Sequence, residues 1–366
     1  MPDDPIGVLV VDDSAMMRNL VGRIVDSGAG TRLVGTAMNG EFALRKLPKL
    51  TPDVIVLDLE MPVMNGIEFL RERKRQGIDI PVVVLSSIAK KGARVTMEAL
   101  TLGASDFILK PSGSESSDIH VVAEKLIELV TSLGATYRVR RGRKPPAELA
   151  AHPAVAPKPV VRTAPPITPT VEPGAIEIVA IGVSTGGPNA LRKVFAQIAP
   201  DLAVPVVVVQ HMPPGFTTEF AKSLDRICPL NVREAEDGDS LEPGVVLISP
   251  GDRHIVVNRR SARPKILLRD DPLRNGHRPS VDVLFASVAE HYRNRALGVI
   301  MTGMGKDGAE ELGTLLKAGS RTIGQDAATS VVYGMPKVAY EMGHVQTQVA
   351  LKDIADTISR LVAENR

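Results

Sequence analysis

The stretch Ile176–Pro188, IEIVAIGVSTGGP, joins an apolar run to a glycine-rich turn and a proline. The first eight residues are mostly apolar and rich in β-branched side chains, which favours a buried strand. Glycines suit a tight turn because they adopt positive φ and carry no Cβ, and Pro188 then begins a helical pattern. The turn therefore places Ser184 at the carboxyl end of a strand, beside helix N–H groups that favour negative charge. This position fits a serine nucleophile, a phosphate-binding loop or a structural turn.

The composition limits the classes of protein to which the chain can belong. It has 366 residues, of which 44% are apolar, enough for two domains with their own cores. Aromatic residues make up 3% and the formal net charge is +2, which argues against nucleic-acid binding. Cys228 is the only cysteine, which fits a reducing compartment. No signal-type segment or run of ~18 apolar residues is present, so we expect a cytoplasmic protein without membrane insertion.

The N-terminal third alternates short apolar runs with helical patterns. This order predicts five β/α units and a doubly wound parallel sheet. The predicted strands are Ile6–Val11, Leu33–Ala37, Val54–Leu57, Pro81–Leu85 and Asp106–Leu109.

Polar residues follow four of these five strands. They are Asp12, Asp13, Asp58, Ser86 and Lys110. The carboxyl ends of parallel strands share one edge of the sheet, so these side chains are expected to meet there. Clustered carboxylates repel one another unless a cation is present, and oxygen ligands suit Mg²⁺. The sequence thus predicts a magnesium site at this edge.

With these residues in these positions, Ile6–Leu133 resembles a response-regulator receiver domain, whose fold is flavodoxin-like. The resemblance implies that Asp58 accepts a phosphoryl group from a chemotaxis histidine kinase. It also implies that Ser86 hydrogen-bonds that group and that Lys110 pairs with it. The implied Mg²⁺ ligands are Asp12, Asp13, Asp58 and the carbonyl of Glu60. Phe107 occupies the position of the family's aromatic switch residue, although an ordinary core phenylalanine explains it equally well.

The segment between the two halves is rich in proline. Nine prolines lie between Pro145 and Pro173, and proline supplies no backbone donor, so a compact core is excluded. We predict a receiver domain over residues 1–135, a linker over 136–174 and a second domain over 175–366. The basic cluster Arg138–Lys144 is interpreted as a solvated boundary, with contact to an acidic partner as the alternative.

The C-terminal half again alternates strands and helices, which predicts a second doubly wound parallel sheet. Ser184, His211 and Asp307 all lie at or just beyond predicted strand ends. Serine hydrolysis requires a hydroxyl, an imidazole that takes its proton and a carboxylate that orients the imidazole. The chain order here is Ser–His–Asp, whereas α/β-hydrolases have the order Ser–Asp–His. That second order stays possible if His344, which follows Asp307, is the imidazole. Asp307 also fits as an N-cap of the next helix, and His211 as a structural histidine.

Five motifs in this half resemble the chemotaxis-type protein-glutamate methylesterases, which are also protein-glutamine glutaminases. They read GVSTGGP, VVVVQHMPPGFT, GHRPSVDVLF, MTGMGKDG and QDAATSVVYGMPKVAYE. The resemblance implies a Rossmann-like catalytic domain with Ser184 as nucleophile, His211 as general base and Asp307 as its orienting acid. It further implies a Met304 backbone N–H as oxyanion donor and supporting roles for Thr185 and His277. Methylated chemoreceptors are the implied substrate, the hydrolase needs no cofactor, and the expected state is a monomer.

Three functions compete at this stage. The first is a receiver-regulated hydrolase that acts on chemoreceptors, or on another ester. The second is a receiver fused to a nucleotide-binding module, which is disfavoured because residues 182–187 lack the glycine spacing and the Lys-Ser/Thr ending of phosphate loops. The third is a receiver with a DNA-binding output, which the near-zero net charge disfavours. Covalent labelling by a serine-directed phosphonate would separate the first from the others.

Overall fold

A computed structural model describes residues 4–87, 90–110, 118–143, 171–259 and 263–365. The chain divides into two units, Met1–Ala156 and Pro157–Arg366. Each unit is described by itself. Most of the predicted linker, including Lys144, lies outside the described residues.

The first unit is a five-stranded parallel sheet in the order β2-β1-β3-β4-β5. This order is the flavodoxin-like one, and the prediction of a doubly wound sheet is confirmed. The strands are β1 (Ile6–Val11), β2 (Thr31–Ala37), β3 (Val54–Asp58), β4 (Val82–Ser86) and β5 (Asp106–Leu109). The helices are α1 (Ala15–Ser27), α2 (Gly40–Leu50), α3 (Gly66–Arg75), α4 (Lys90–Thr101) and α5 (Asp118–Arg140).

Local sequence explains why the helices of this unit begin where they do. The Ser14 hydroxyl accepts a hydrogen bond from the Met17 backbone N–H at the start of α1, as the sequence predicts. Asn65 and Glu68 form a reciprocal capping box at the start of α3. The strands β1 and β3 are buried along their whole length, which explains their unbroken apolar runs. Strand order reverses beside β1, and the loops after β1 and β3 therefore border a cleft at the carboxyl edge.

The last helix of the first unit carries part of the basic cluster Arg138–Lys144. Helix α5 continues to Arg140, and Arg138 is buried rather than solvated. The Arg138 guanidinium donates to Asp53 Oδ2 at 2.6 Å and to the Pro5 carbonyl at 2.7 Å. Arg143 adds a 3.2 Å contact to Asp53 Oδ1. The interpretation of this basic cluster as a solvated boundary is therefore wrong for Arg138, because a buried carboxylate inside the unit requires its charge.

The second unit is a seven-stranded parallel sheet in the order β14-β13-β12-β6-β7-β9-β8. A separate antiparallel pair, β10 and β11, accompanies it. The strands are β6 (Ile178–Val183), β7 (Val206–Gln210), β8 (Asn231–Glu234), β9 (Val245–Ile248), β10 (His254–Asn258), β11 (Lys265–Arg269), β12 (Ala296–Ile300), β13 (Arg321–Gln325) and β14 (Thr347–Val349). The helices are α6 (Gly187–Phe195), α7 (Phe216–Asp225), α8 (Val281–Tyr292), α9 (Ala309–Lys317), α10 (Met335–Glu341) and α11 (Ile354–Glu364), the last preceded by a 3₁₀ turn, Leu351–Asp353.

Strand order in the second sheet reverses at β6. The chain runs outward from β6 through β7 to β9 and β8, and later returns to β12 on the other side. The crevice outside the carboxyl ends of β6, β7 and β12 is the position where open α/β sheets bind their ligands. The three loops that follow these strands carry Ser184, His211 and the Thr302–Asp307 segment.

Candidate active site and phosphoacceptor site

The turn after β6 is fixed by backbone contacts and by close packing. The Ser184 N–H donates to the Thr302 carbonyl at 3.0 Å, and the Gly187 N–H donates to the Ser184 carbonyl at 2.8 Å. Gly186 has φ +77°, and a Cβ there would come within 2.5 Å of Val331. A side chain at this position would be strained and would clash, so the turn requires glycine.

The three predicted catalytic side chains lie in one hydrogen-bonded row. Ser184 Oγ is 3.1 Å from His211 Nδ1, and His211 Nε2 is 2.8 Å from Asp307 Oδ2. Because the Asp307 carboxylate accepts, Nε2 carries the proton and Nδ1 is free to accept from the serine hydroxyl. The arrangement is that of a hydroxyl activated by a neighbouring base whose orientation a carboxylate holds.

Asp307 is the most fully hydrogen-bonded of the three. Apart from His211, its donors are the Ser280 hydroxyl at 2.7 Å, the Val281 N–H at 2.7 Å, the Asn275 amide at 3.0 Å and the Asp282 N–H at 3.3 Å. Burial by itself raises the pKa of Asp307, but hydrogen bonds from His211, Asn275 and Ser280, with the attraction of His211, hold that pKa below its ordinary value.

The alternative role of Asp307 as the cap of the following helix is not the one observed. The N-cap of α9 is Gly308, without a side-chain cap. Asp307 instead accepts the first N–H groups of α8 and so occupies that helix's N-terminus. A carboxylate held in this way stays ionised, as an orienting partner for an imidazole must.

The supporting residues lie close to this row. The His277 ring stacks on the His211 ring with centroids 3.8 Å apart and planes 13° from parallel. Thr185 is buried, and its carbonyl accepts from the Thr302 hydroxyl at 2.9 Å. Met304 lies in the loop that packs against the nucleophile Ser184. The residue before it, Gly303, is so close that a Cβ added there would lie 2.9 Å from Ser184 Cβ. The loop is thus near enough for the predicted Met304 N–H donor, whose role stays a prediction.

Two positioning residues were not singled out from the sequence. Gln210, the last residue of β7, donates from Nε2 to the carbonyls of Ser184 at 3.0 Å and of His211 at 3.1 Å. Asn275, at φ +53°, donates from Nδ2 to Asp282 at 2.5 Å and to Asp307 at 3.0 Å. The one feature of the sequence that could have indicated a role for Gln210 is its position at a strand end, next to His211. Asn275 lies in a polar loop and offered no periodic signal.

His344 is placed away from the serine. Its side chain is buried, and Nδ1 lies 2.7 Å from the Ala309 carbonyl, so this nitrogen carries the proton. The α/β-hydrolase order that His344 kept open therefore finds no support, because His211 is the imidazole bonded to Ser184.

In the first unit the predicted acidic cluster is assembled. Carboxylate oxygens of Asp12, Asp13 and Asp58 lie within 4.8 Å of one another. Lys110 Nζ is 2.7 Å from Asp58 Oδ2 and 3.1 Å from Asp12 Oδ2. Burial, the largest single influence, and the Asp12 charge raise the pKa of Asp58, and together they outweigh the hydrogen bond and charge of Lys110, which lower it. Three carboxyl groups against one ammonium fit the donor set of a hard divalent cation.

The other predicted members of this site are placed less directly. Ser86 Oγ is 2.6 Å from Thr96 Oγ1 on α4, and Thr96 itself donates to the Gly92 carbonyl at 2.8 Å. With the Thr96 proton used there, the Ser86 hydroxyl has two acceptors for its own proton, Thr96 Oγ1 and the Ser87 carbonyl at 3.2 Å. Glu60 is exposed, and its N–H donates to Asp58 Oδ1 at 3.3 Å. Phe107 is buried, which is compatible with either interpretation of that residue.

Within the described residues, no helix combines the length and the apolar character that a membrane span needs.

Comparisons with known proteins agree on both units. The family described as CheB methylesterase matches residues 179–358, and the response regulator receiver domain matches residues 8–121. A curated protein of Treponema denticola, named protein-glutamate methylesterase/protein-glutamine glutaminase, is 57% identical over 98% of both chains. One of Treponema pallidum with the same name is 52% identical over 97% of this chain and 96% of its own. The crystal structure of the Thermotoga maritima CheB methylesterase catalytic domain is 39% identical, with a TM-score of 0.50, over 51% of this chain and 99% of its own.

Proposed function

The chain belongs to the CheB methylesterase family, with a receiver domain ahead of the catalytic one, and on that basis we propose that it removes methyl groups from glutamyl esters and amide groups from glutamines of chemoreceptors. The observation that carries this proposal is the continuous row Ser184–His211–Asp307, with contacts of 3.1 and 2.8 Å. A serine activated in this way supports acyl transfer from either an ester or an amide.

The reaction follows from the direction of these hydrogen bonds. Ser184 Oγ attacks the side-chain carbonyl carbon while its proton passes to His211 Nδ1. The imidazolium keeps its second proton at Nε2 against Asp307, whose charge stabilises it. The tetrahedral intermediate collapses to an acyl-serine as the imidazolium protonates the leaving group, which is methanol from an ester and ammonia from a glutamine. Water then attacks the acyl-serine with His211 again as base, which releases the glutamate carboxylate.

Developing negative charge on the carbonyl oxygen requires donors. We assign this role to the Met304 N–H, because its loop lies against Ser184. Thr185 and His277 support the site, Thr185 through the Thr302 contact and His277 through its stack on His211. Removal of one such donor typically lowers kcat by about 100- to 1000-fold.

The first domain is proposed to control this reaction. Asp58 would take a phosphoryl group from a histidine kinase, and Ser86 and Lys110 would then contact that group. Asp12, Asp13, Asp58 and the Glu60 carbonyl would hold Mg²⁺, which supplies charge neutralisation at the phosphoryl oxygens. The added charge of roughly −2 would change the surface that α4 and β5 present.

The proposal also covers the domain bounds, the oligomeric state and the cellular location of the protein. We propose a receiver that extends through Arg143, a proline-rich linker up to residue 174 and a catalytic domain over residues 175–366. The protein is proposed to act as a cytoplasmic monomer. Gel filtration with light scattering would test the last point, and a dimer would contradict it.

Methanol release from methylated chemoreceptor in membranes tests the function directly. The intact protein should release methanol, and a small-molecule phosphodonor with Mg²⁺ should raise the rate. A serine-directed fluorophosphonate should label Ser184. Labelling without methanol release would place the chain among serine hydrolases that act on another ester. Absence of labelling in folded protein would remove the nucleophile assignment.

A further inference from the structure

His254 is a buried histidine that neither the triad nor the proposed oxyanion site uses. It is the first residue of β10, and its residue exposure is 0%. Its register partner is Arg269, the last residue of β11, so His254 stands where the 270–280 loop begins. This loop runs from β11 to α8 and contains Asn275 and His277.

Both ring nitrogens of His254 contact the two ends of that loop. Nε2 is 3.1 Å from the Pro272 carbonyl, and Nδ1 is 3.2 Å from the Ser280 backbone N–H. A carbonyl only accepts and an amide N–H only donates, so these partners fix the neutral tautomer with its proton on Nε2. His254 therefore acts as a donor at the start of the loop and as an acceptor at its end.

The 270–280 loop supplies several of the contacts around His211 and Asp307. The Ser280 hydroxyl donates to Asp307 Oδ1 at 2.7 Å, and the following Val281 N–H donates to Oδ2 at 2.7 Å. Asn275 donates to Oδ1 from the middle of the loop, and His277 stacks on His211. A shift of the loop would move two donors of the orienting carboxylate, Asn275 and Ser280, together with the adjoining Val281 N–H and the stacked ring.

We propose that His254 is a positioning residue, which holds the 270–280 loop so that Ser280, Asn275 and His277 keep Asp307 and His211 aligned with Ser184. The inference rests on the proposed function, since it assigns His254 a role in the same reaction. The hydrogen bonds of His254 go to Pro272 and Ser280, and its effect on Asp307 is transmitted through Ser280.

Three substitutions separate positioning from packing. His254→Leu removes both hydrogen bonds and retains apolar volume. His254→Asn keeps an acceptor near the Nδ1 position, and His254→Gln keeps a donor near the Nε2 position. His291→Asn is the matched control, because this histidine lies in the last turn of α8, where its Nε2 is 3.9 Å from Glu290.

The full-length chain is compared with these variants by methanol release and by the rate of fluorophosphonate labelling. His254→Leu should lower kcat by roughly 10- to 100-fold, the effect of misplacing a catalytic group by about 1 Å, while KM changes less than about twofold. Labelling should slow in parallel, because it reports serine activation without receptor. His254→Asn should recover most of the rate and His254→Gln less, since Ser280 alone of the two loop ends donates to Asp307.

A spectroscopic readout accompanies the kinetics. The proton shared by His211 Nε2 and Asp307 should give a far-downfield NMR signal in the wild type and in His291→Asn. That signal should weaken or shift in His254→Leu, because a displaced Asp307 holds the proton less firmly.

Several results would overturn the inference. They are an unchanged labelling rate in folded His254→Leu, an equal loss in all three variants, or a loss confined to KM. If His254→Leu does not fold, equal rates for His254→Asn and His254→Gln overturn it. Failure of the wild type to label at Ser184 would instead overturn the proposed function and this inference with it, so the two failures are distinguishable.

Discussion

Asp58 and Asp307 are both buried aspartates at the carboxyl edge of a parallel sheet, yet their environments shift their pKa values in opposite directions. The pKa of Asp58 is raised, chiefly by burial. Burial is also the largest single influence on the pKa of Asp307 and raises it, but hydrogen bonds and the charge of His211 together outweigh burial and lower that pKa. The difference lies in the donors, since Asp307 accepts from five groups whereas Asp58 faces one ammonium, one N–H and two other carboxylates.

The contrast matches what each carboxylate is proposed to do. A phosphoacceptor must attack with one of its oxygens, so donors on every lone pair would hinder it. An orienting carboxylate never forms a bond to substrate, and its value lies in a fixed position and a permanent charge. The loop before α8 and the start of that helix supply that fixation, whereas Asp58 has fewer donors and lies beside two other carboxylates, as a cation site requires.

The largest effect expected is on the catalytic side of this comparison. Ser184→Ala should lower methanol release by up to about a million-fold, because the attacking oxygen is lost. The double variant Ser184→Ala/His211→Ala should be no slower, since the two groups act as one unit. Both rates are measured on methylated receptor, with thermal unfolding as the check on folding. Additive losses would show that His211 has a separate role.

The next effect compares the same substitution at the two aspartates. Asp307→Asn should lower kcat by about 10,000-fold, because an amide at this position favours the wrong imidazole tautomer. Asp58→Asn should leave the basal rate within about twofold, since Asp58 belongs to the other unit. Initial rates without phosphodonor measure both. A small effect of Asp307→Asn would show that His211 keeps its tautomer and orientation without the Asp307 carboxylate.

A smaller effect concerns the response to phosphorylation. A phosphodonor with Mg²⁺ should raise the rate of the wild type about tenfold, as expected if the competent state is populated at about one tenth. Asp58→Asn should abolish the response, and Lys110→Ala should weaken it, because Lys110 Nζ is 2.7 Å from Asp58. Rates at increasing phosphodonor concentration test this. An unchanged response in Asp58→Asn would transfer the phosphoacceptor role to another residue.

The members of both sites, though not the contrast between them, could be predicted from the sequence, because strand ends and residue types determine which side chains meet. Parallel strands bring their carboxyl ends together, so Asp12, Asp13, Asp58 and Lys110 could be placed in one cluster, and that prediction is confirmed. Ser184, His211 and Asp307 could be assembled for the same reason. What could not be predicted is the hydrogen-bonding around Asp307, since the 270–280 loop has no periodicity and folds through long-range contacts.

Three strands of the second unit cannot be identified from local sequence, and they share a physical cause. Strands β8 and β11 mix charged and apolar residues, and β14 has three residues, so no alternation or apolar run identifies them. Their pairing partners supply the stabilisation that local propensity lacks. The burial of Arg138 could not be predicted for a similar reason, because its partner Asp53 is 85 positions away in sequence.

The smallest effect expected is on stability. It tests whether the pKa values of two neighbouring carboxyl groups, Asp307 and Asp282, are shifted in opposite directions. The folded-state pKa of Asp307 is below its ordinary value of about 3.9, so its stabilisation is present above that pH and is lost as pH falls through the folded pKa. Burial, then the nearby Asp307 charge, raise the pKa of Asp282, so its contribution is present at low pH and is lost as pH rises through the folded pKa.

Calorimetry of the full-length chain between about pH 3 and pH 7 should therefore show Asp307→Asn lowering the Tm by a few degrees above about pH 5 and by less near pH 3. Asp282→Asn should show the reverse slope, with the variant gaining relative to the wild type as pH rises. Parallel Tm curves for the two variants would contradict the assignment of opposite pKa shifts to these neighbouring carboxyl groups.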